Sequence, residues 1–433
     1  MGVLIIGSGI SGRAVYDYLS KNNIKAFFLE DFGIDINAVD YIKLNKLIKK
    51  IEYAVISPGI SLKSNIVLWL KKNNIAFFGE LEFGVTKTHN DIIAVTGTNG
   101  KTTTVSLIYY LLRKYSAGVL VGGNIGVPVT SLLDNLSDEK LIVLECSSFQ
   151  LETIKNFRPH IAVVLNITED HLNRHKTMSE YIRCKYKITK NQTSTDYLIL
   201  NADDENIRKN PPKTKAQIYY FSTRRKVIGC YLKNKVVYFW NGETEIRLIS
   251  LSRLKIKGEH NLSNSLASLL AVFLQTENLD LLKDVLNFEG VQHRIEFVKK
   301  IRGVEFYNDS KATNIASVLV ACNSFKNNIF LILGGSDKGY EFDELFISLS
   351  KNVKYIAIFG ETKHKIAFSA QKFNFKNYCI CNTLEEAVNE LFNKAVKNDI
   401  ILLSPACASF DQFSGYEERG NLFKKIVHSL TEK

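Results

Sequence analysis

Short apolar runs rich in β-branched residues recur along the chain, separated by stretches in which apolar residues return every three or four positions. The runs are Val3–Ile6, Ala26–Leu29, Ala54–Ile56, Ile92–Val95, Leu141–Leu144, Ile161–Leu165, Ile329–Leu333, Tyr355–Phe359 and Ile400–Leu403. An apolar run of about four to eight residues, bounded by turns, predicts a strand covered on both faces. Such strands alternating with helices predict βαβ units around parallel sheets, an α/β fold. From Ile218 to Ile256 the apolar residues alternate loosely, as in Val236-Val237-Tyr238-Phe239-Trp240, and Asn241-Gly242 supplies a turn. This stretch predicts an antiparallel ribbon attached to the α/β body.

Three α/β units start near residue 1, after Thr86–Asn90 and near Gly290–Ile301, which predicts domains at 1–88, 89–292 and 293–433. At about 150 residues per domain, the length agrees with three. Apolar residues make up 45% and charged residues 23%, proportions that exclude a disordered or fibrous chain. The 56 lysines and arginines against 44 acids give a formal charge of +12. That charge fits a polyanionic partner or a lysine-rich composition. The basic residues are scattered, as in Lys49, Lys50, Lys71, Lys72, Lys299 and Lys300. The compositional reading is therefore favoured, with a small polyanionic substrate contributing and no nucleic-acid partner expected. Seven cysteines, an odd number with no C-x-x-C pair, predict reduced thiols in a cytoplasmic protein. No run of 18 apolar residues occurs, so no membrane insertion is expected. Met1–Gly7 reads as a first strand rather than a signal peptide.

Two glycine loops carry candidate chemistry. Gly7-Ser8-Gly9-Ile10-Ser11-Gly12 follows a predicted strand and opens a helix at Arg13–Leu19; another strand ends at Glu30-Asp31. Bare N–H groups and a helix N-terminus there would receive a phosphate, and the acids would take a ribose hydroxyl. The motif alone fits an NAD enzyme, another nucleotide diphosphate, or a tightly packed turn. Ser57-Pro58-Gly59 would form a second wall. The second loop is Thr96-Gly97-Thr98-Asn99-Gly100-Lys101-Thr102-Thr103, again between a strand and a helix. Its N–H groups would wrap phosphate oxygens, with Lys101 on the β/γ-phosphates and the Thr102 hydroxyl on Mg²⁺. The first glycine of the strict phosphate-loop pattern falls on Val95. A plain turn leaves Gly-Lys-Thr at a helix start unexplained, so ATP binding is predicted. Glu145 and Thr168-Glu169-Asp170-His171 end predicted strands, where open α/β sheets bind ligands. They suit a metal, although Thr168 and Asp170 equally suit helix caps.

In this loop, the chain resembles the Mur ligases, which build the bacterial cell-wall peptide. Further motifs resemble the branch that adds D-glutamate: Gly122–Gly126, Glu145–Glu152, Asn166–His171, Gly258–Asn261 with Asn264, His293–Glu296, Asn308–Asn314, Gly334–Lys338 and Ser404–Phe413. The resemblance runs nearly end to end. It implies a Rossmann-like N-terminal domain for the UDP substrate, a P-loop-type central ATPase domain with a small antiparallel addition, and a Rossmann-like C-terminal domain for the amino acid. The implied reaction joins UDP-N-acetylmuramoyl-L-alanine to D-glutamate through an acyl phosphate made with ATP. The chain would act as a monomer.

By the same resemblance, Gly7, Ser8, Gly9, Ile10, Ser11, Glu30, Asp31, Ser57, Pro58, Gly59 and Asn124 hold the UDP substrate. Gly97, Thr98, Asn99, Gly100, Lys101, Thr102, Thr103, Asn261, Asn264, His293, Arg294 and Asp309 hold ATP. Thr102, Glu145, His171 and Lys185, the last as a carbamate, hold Mg²⁺. Thr313, Lys338, Ser409 and Tyr416 hold D-glutamate, and Lys101, Lys185, His171 and Lys311 are catalytic. Lys185 would lie on a helix predicted over Met178–Lys190, where a solvated charge run is the plainer reading. Two departures stand out: Tyr416 where phenylalanine is frequent, and Asn173 where aspartate is common. The alternatives are another amino-acid ligase of the family, such as a folylpolyglutamate synthetase, a basic nucleic-acid-binding protein, and a non-catalytic scaffold.

Overall fold

The structure, a computed structural model, describes residues 1–29, 44–124, 126–137, 140–337, 339 and 341–431. The chain divides into two compact units: residues 1–253 with 263–286, and residues 254–262 with 287–433.

In the first unit β1 (Gly2–Ile6), β2 (Ala26–Leu29), β3 (Ile51–Ile56) and β4 (Ala76–Gly79) form a parallel sheet in the order β2-β1-β3-β4. Every residue of β1 is buried. Successive side chains leave a strand on opposite faces. Val3 and Ile5 therefore pack with Val15 and Leu19 of the helix Ile10–Lys21. Leu4 and Ile6 pack with Ile66, Val67 and Leu70 of the helix Asn65–Lys72. This two-sided cover is why the sequence reads as an unbroken apolar run.

The same unit holds a nine-stranded sheet built from β5 (Ile92–Thr96), β6 (Val119–Gly123), β7 (Leu141–Glu145), β8 (Ile161–Val164), β9 (Tyr197–Asn201), β10 (Gln217–Ser222), β11 (Gly229–Lys233), β12 (Val236–Trp240) and β13 (Glu245–Ser250). Its order is β13-β12-β11-β10-β9-β8-β5-β7-β6. From β5 the chain crosses to β6, returns through β7 and then passes to β8 on the other side of β5. That reversal opens a crevice at the carboxyl ends of β5, β7 and β8, the usual ligand site of such sheets.

The ribbon expected from Ile218 to Ile256 is antiparallel only from β11 onward. β10 runs parallel to both β9 and β11. Tyr220 lies opposite Gly229 and Ser222 opposite Tyr231, so β11 begins beside the end of β10 and continues the same way. The connection is a sideways step rather than a reversal, and alternation alone does not separate the two. Gly229, at φ 123°, has no room for a Cβ against the Tyr220 backbone. The reversal into β12 is made by Asn234 and Lys235, both at positive φ, in a two-residue turn.

A short helix, Glu80–Val85, ties the two sheets of this unit together, and all its residues are buried. Glu80 Oε1 accepts from the Thr130 N–H and hydroxyl at 2.7 and 2.8 Å. Glu82 accepts from the Asn156 and Phe157 N–H groups at 2.7 and 3.1 Å.

The second unit carries β14 (Glu296–Ile301), β15 (Val304–Asn308), β16 (Ile329–Gly334), β17 (Val353–Phe359), β18 (Tyr378–Ile380) and β19 (Ile400–Leu403), in the order β14-β15-β19-β16-β17-β18. Only the β14–β15 pair is antiparallel. Leu331, Ile356 and Leu402 face one core with Val318 and Ile366; Ile332, Ala357 and Leu403 face the other with Leu391 and Phe423. All seven cysteines are free thiols. Among the described residues no helix is long and apolar enough to cross a membrane.

Replacing Glu82 with leucine fills its volume but accepts no hydrogen bond, which strands the buried Phe157 N–H and the partly buried Asn156 N–H. The expected loss of unfolding free energy is about 2–4 kcal/mol, read from urea denaturation. A loss under about 0.5 kcal/mol would show that these bonds do not hold the helix in place.

Candidate active site

The second glycine loop sits at the head of the crevice. β5 ends at Thr96, Gly97 turns at φ 157°, and Gly100 caps the helix Lys101–Leu112 at φ 86°. An added Cβ at Gly97 would lie 3.0 Å from Leu165 Cβ, and one at Gly100 would collide with the Asn264 amide. Asn264 therefore lies directly against the loop. The loop is pinned from β8's end: Asn99 N–H donates to Asn166 Oδ1 at 2.8 Å, and Thr98 N–H donates to the Asn166 carbonyl at 2.9 Å. Thr103 is buried behind it.

Two amines converge on one carbonyl oxygen. Lys101 Nζ donates to the Gly97 and Thr98 carbonyls, both at 2.8 Å, and Lys185 Nζ donates to the same Gly97 carbonyl at 2.8 Å. Lys185 is 1% exposed. Burial first, and the neighbouring Lys101 second, hold its amine well below the ordinary lysine range. The helix carrying it spans Met178–Tyr186, with a 3-10 turn at Lys187–Thr189, so it ends as an α-helix before the expected Lys190. Tyr181 and Lys185, four residues apart, share its inner face; the Lys185 amine sits 4.5 Å above the Tyr181 ring. Tyr181 is also within hydrogen-bond reach of the Thr98 hydroxyl, at 3.2 Å.

At the end of β7, Glu145 is 3% exposed. Its Oε2 accepts from the Thr102 hydroxyl and its Oε1 from the Asn124 amide, both at 2.8 Å. A carboxylate and a hydroxyl in contact beside a phosphate-type loop form an all-oxygen donor set, which fits Mg²⁺. His171 caps the short helix Leu172–His175 at φ 54°; its ring lies 4.8 Å from Phe149 and its Nε2 lies 3.4 Å from Asp170.

Arg174, which the sequence did not single out, links this turn to the first sheet. It pairs with Glu152 at 2.6 Å and donates to the Gly59 and Ile60 carbonyls at 3.1 and 2.8 Å. Its guanidinium also lies 5.0 Å from the Phe149 ring. Glu152, His175 and Cys184 bring ligand-type atoms within 4.8 Å of one another. Each is already committed: Glu152 to Arg174, His175 Nε2 to Ser148 Oγ at 3.0 Å, and the Cys184 thiol to the Ser148 carbonyl at 3.0 Å. Burial pushes that thiol up to about 12. The triad is a support under the helix rather than a metal site.

At the first loop, an added Cβ on Gly12 would strike the Gly7 carbonyl, so the third glycine lets the helix close on the strand end. Gly7 turns at φ 109°, while Gly9 and Ile10 are exposed and Ser8 and Ser11 half-buried after it. Ser57 N–H donates to the Ile6 carbonyl at 2.9 Å, which sets Ser57-Pro58-Gly59 beside the turn. Glu30, Asp31 and Lys338 lie outside the described residues.

The second unit groups the remaining candidates. Lys311 N–H donates to the His293 carbonyl at 3.0 Å, and Lys311 Nζ lies 5.3 Å from the Tyr416 ring, which lies 6.0 Å from the His293 ring. Thr313 N–H donates to the Lys311 carbonyl at 3.0 Å. Arg294 follows His293 in the same turn, and Ser409 is buried. Asn261 stands in the first turn of the helix Glu259–Thr276, its amide donating to the Lys257 carbonyl at 2.7 Å. Asp309 accepts from Ser404 Oγ at 2.7 Å and from the Ile295 N–H at 3.2 Å.

Burial pushes the Asp309 carboxyl from 3.8 up to about 7. Between those values the folded chain keeps a proton that the unfolded chain has released. This group's contribution therefore falls as pH rises from about 4 to about 7, and is flat above. In denaturant titrations across this range, Asp309→Asn is expected to lose that part of the slope. An unchanged slope would assign it to other groups.

Residues 95–272 match the Mur ligase middle domain, and residues 293–407 match the Mur ligase, glutamate ligase domain. The UDP-N-acetylmuramoylalanine–D-glutamate ligase of Clostridioides difficile is 41% identical, covering 99% of this chain and 98% of its own. The enzyme of that name from Caldicellulosiruptor bescii is 39% identical, covering 99% and 97%. The crystal structure of MurF ligase from Thermotoga maritima in complex with ADP has a TM-score of 0.60 at 18% identity, covering 89% of this chain and 92% of that one. With an ATP-type loop, an all-oxygen donor set and near-complete coverage by these relatives, the chain belongs to the Mur ligase family, in the branch of the UDP-N-acetylmuramoylalanine–D-glutamate ligases.

Proposed function

We propose that this protein joins D-glutamate to the alanyl carboxylate of UDP-N-acetylmuramoyl-L-alanine, with ATP converted to ADP and phosphate, in the cytoplasm and as a monomer. The observation that carries the reading is the Thr102–Glu145–Asn124 chain, which couples the nucleotide loop to the residue expected at the sugar-nucleotide end. The domains are proposed to divide at 1–88, 89–292 and 293–433.

The difficulty of the reaction is electrostatic. A carboxylate oxygen must attack the γ-phosphorus, and both partners are anions. Lys101 meets the triphosphate with a positive charge already held at the loop. Loop N–H groups orient the phosphates, and Asn264 beside Gly100 and Asn261, His293, Arg294 and Asp309 in the second unit are assigned to the nucleotide. Thr102, Glu145, His171 and a carbamylated Lys185 would hold Mg²⁺. When bound, that ion would neutralise phosphate charge during transfer. A lowered amine suits Lys185 to this role, because CO₂ adds to a neutral amine and not to an ammonium. The carboxylate displaces ADP and becomes an acyl phosphate. The neutral amine of D-glutamate attacks its carbonyl carbon, the C–O bond to phosphate breaks, and the proton lost by nitrogen leaves with the phosphate or solvent. Lys311 is assigned to the transferring phosphoryl group. Thr313, Lys338, Ser409 and Tyr416 are assigned to D-glutamate, and the loops around Gly7–Ser11, Glu30-Asp31 and Ser57–Gly59 to the uridine diphosphate.

The test is phosphate release and product mass with ATP, magnesium and UDP-N-acetylmuramoyl-L-alanine, with and without D-glutamate. Product is expected with D-glutamate and none with L-glutamate, L-lysine or diaminopimelate. Lys311→Ala is expected to lower kcat by about 10²–10³-fold while ATP affinity, read by calorimetry, changes little. No ADP and no glutamyl product from the unaltered protein would refute the reading. Full activity of Lys311→Ala would remove that lysine from the chemistry.

A further inference from the structure

Among the described residues the largest fully buried side chain is a cation. Arg419, on the helix Tyr416–Ser429, is 0% exposed. Among the described residues it forms no ion pair. Its donors go instead to one hydroxyl and a fan of main-chain carbonyls. Nε donates to Ser310 Oγ at 3.0 Å; Nη2 donates to the Ser310 carbonyl at 2.8 Å and the Cys407 carbonyl at 3.1 Å. Nη1 donates to the Ala408 carbonyl at 3.1 Å and approaches the Gly334 carbonyl at 3.5 Å. The Ser310 hydroxyl in turn donates to the Tyr416 carbonyl at 2.8 Å.

These contacts are not scattered. They reach the loops that leave the carboxyl ends of β15, β16 and β19, together with the first residue of the helix. Those segments carry Lys311 and Thr313, the Gly334–Lys338 motif, Ser409 and Tyr416. The packing is close: an added Cβ at Gly335 would strike the Ala408 carbonyl and come within 3.0 Å of Arg419 Nη1. Asp411 acts on this guanidinium without an ion pair, and burying a charge that no acid contacts directly is costly. A core of equal volume could be held by an apolar residue and a few bridging bonds. Retention of a full positive charge under these four segments points to an anion on their far side. Burial lowers the guanidinium only to about 10, so it stays charged at neutral pH.

We propose that Arg419 is a positioning and selectivity residue for the amino-acid substrate: its fork fixes the three loops in register, and its charge favours a dicarboxylate above them. This rests on the assignment of Thr313, Lys338, Ser409 and Tyr416 to D-glutamate. The guanidinium does not touch the substrate. It acts through Ser310, Ala408 and Cys407.

The experiment measures KM for D-glutamate, ATP and UDP-N-acetylmuramoyl-L-alanine, with melting temperature, for the full-length protein and for Arg419→Lys, Arg419→Gln and Ser310→Ala. Arg419→Gln is expected to raise the KM for D-glutamate about 10- to 100-fold, the loss of a hydrogen-bonded charge. The other two KM values should stay within about 3-fold. Arg419→Lys keeps the charge and loses the fork, so its rise should be smaller than that of Arg419→Gln. Ser310→Ala cuts one strand of the network and should raise the same KM about 3- to 10-fold. If Arg419→Gln does not fold, Ser310→Ala and Arg419→Lys decide. Folded variants whose KM for D-glutamate is unchanged, or whose three KM values rise together, overturn the proposal and leave the wider function standing. An unaltered protein that uses no D-glutamate overturns both.

Discussion

The Gly97 carbonyl organises the catalytic end of the first unit. It takes one hydrogen bond from Lys101 and another from Lys185. Burial first, and the like charge of Lys101 second, hold the Lys185 amine low, so the buried member of the pair gives way. The glycine is needed here because its turn at φ 157° presents the carbonyl to both lysines while leaving no Cβ to meet Leu165. From this point the rest of the site can be traced outward. Lys185 sets Tyr181, Tyr181 sets Thr98, and Thr98 sits against the end of β8. Glu145 sits one strand away with both carboxylate oxygens already oriented.

Two arginines show a second habit of this chain. Arg174 and Arg419 both spend their planar forks on main-chain carbonyls, Arg174 on the single loop at Gly59 and Ile60 and Arg419 on three separate segments. A guanidinium offers five donors in fixed directions, so it can hold three segments at once where a lysine would hold them loosely. Arg174 is ion-paired with Glu152, whereas among the described residues Arg419 forms no ion pair, and that difference separates an ordinary clamp from one that shapes a field.

Much of this was legible in the chain itself. Strands such as Val3–Ile6 and Ile329–Leu333 announce themselves because both faces are covered, and the glycine loops because backbone must approach backbone. β14, with the sequence Glu296-Phe297-Val298-Lys299-Lys300-Ile301, did not, because it is an edge strand with one solvated side. The parallel step from β10 to β11 was equally silent, since alternation records faces and not direction. Lys185 is the instructive residue. Spacing places it among Arg183, Lys187 and Lys190 as one more surface charge, and only the packing of Tyr181 against the loop turns it inward. Arg174 and Arg419 were invisible for a related reason: most of their partners are carbonyls, which every residue has, so no side-chain pattern marks them.

The helix Glu80–Val85 has a consequence for how this architecture can be rearranged. Its two acids serve backbone donors in the helix and loop that flank the neighbouring sheet, and none of its residues faces water. The first sheet is therefore not a portable cassette. Recombination that exchanged it for an unrelated nucleotide-binding module would leave two carboxylates and a row of amides unmatched. Swaps at this junction are restricted to donors that bring the matching acids with them, so the two sheets are constrained to be inherited as a pair.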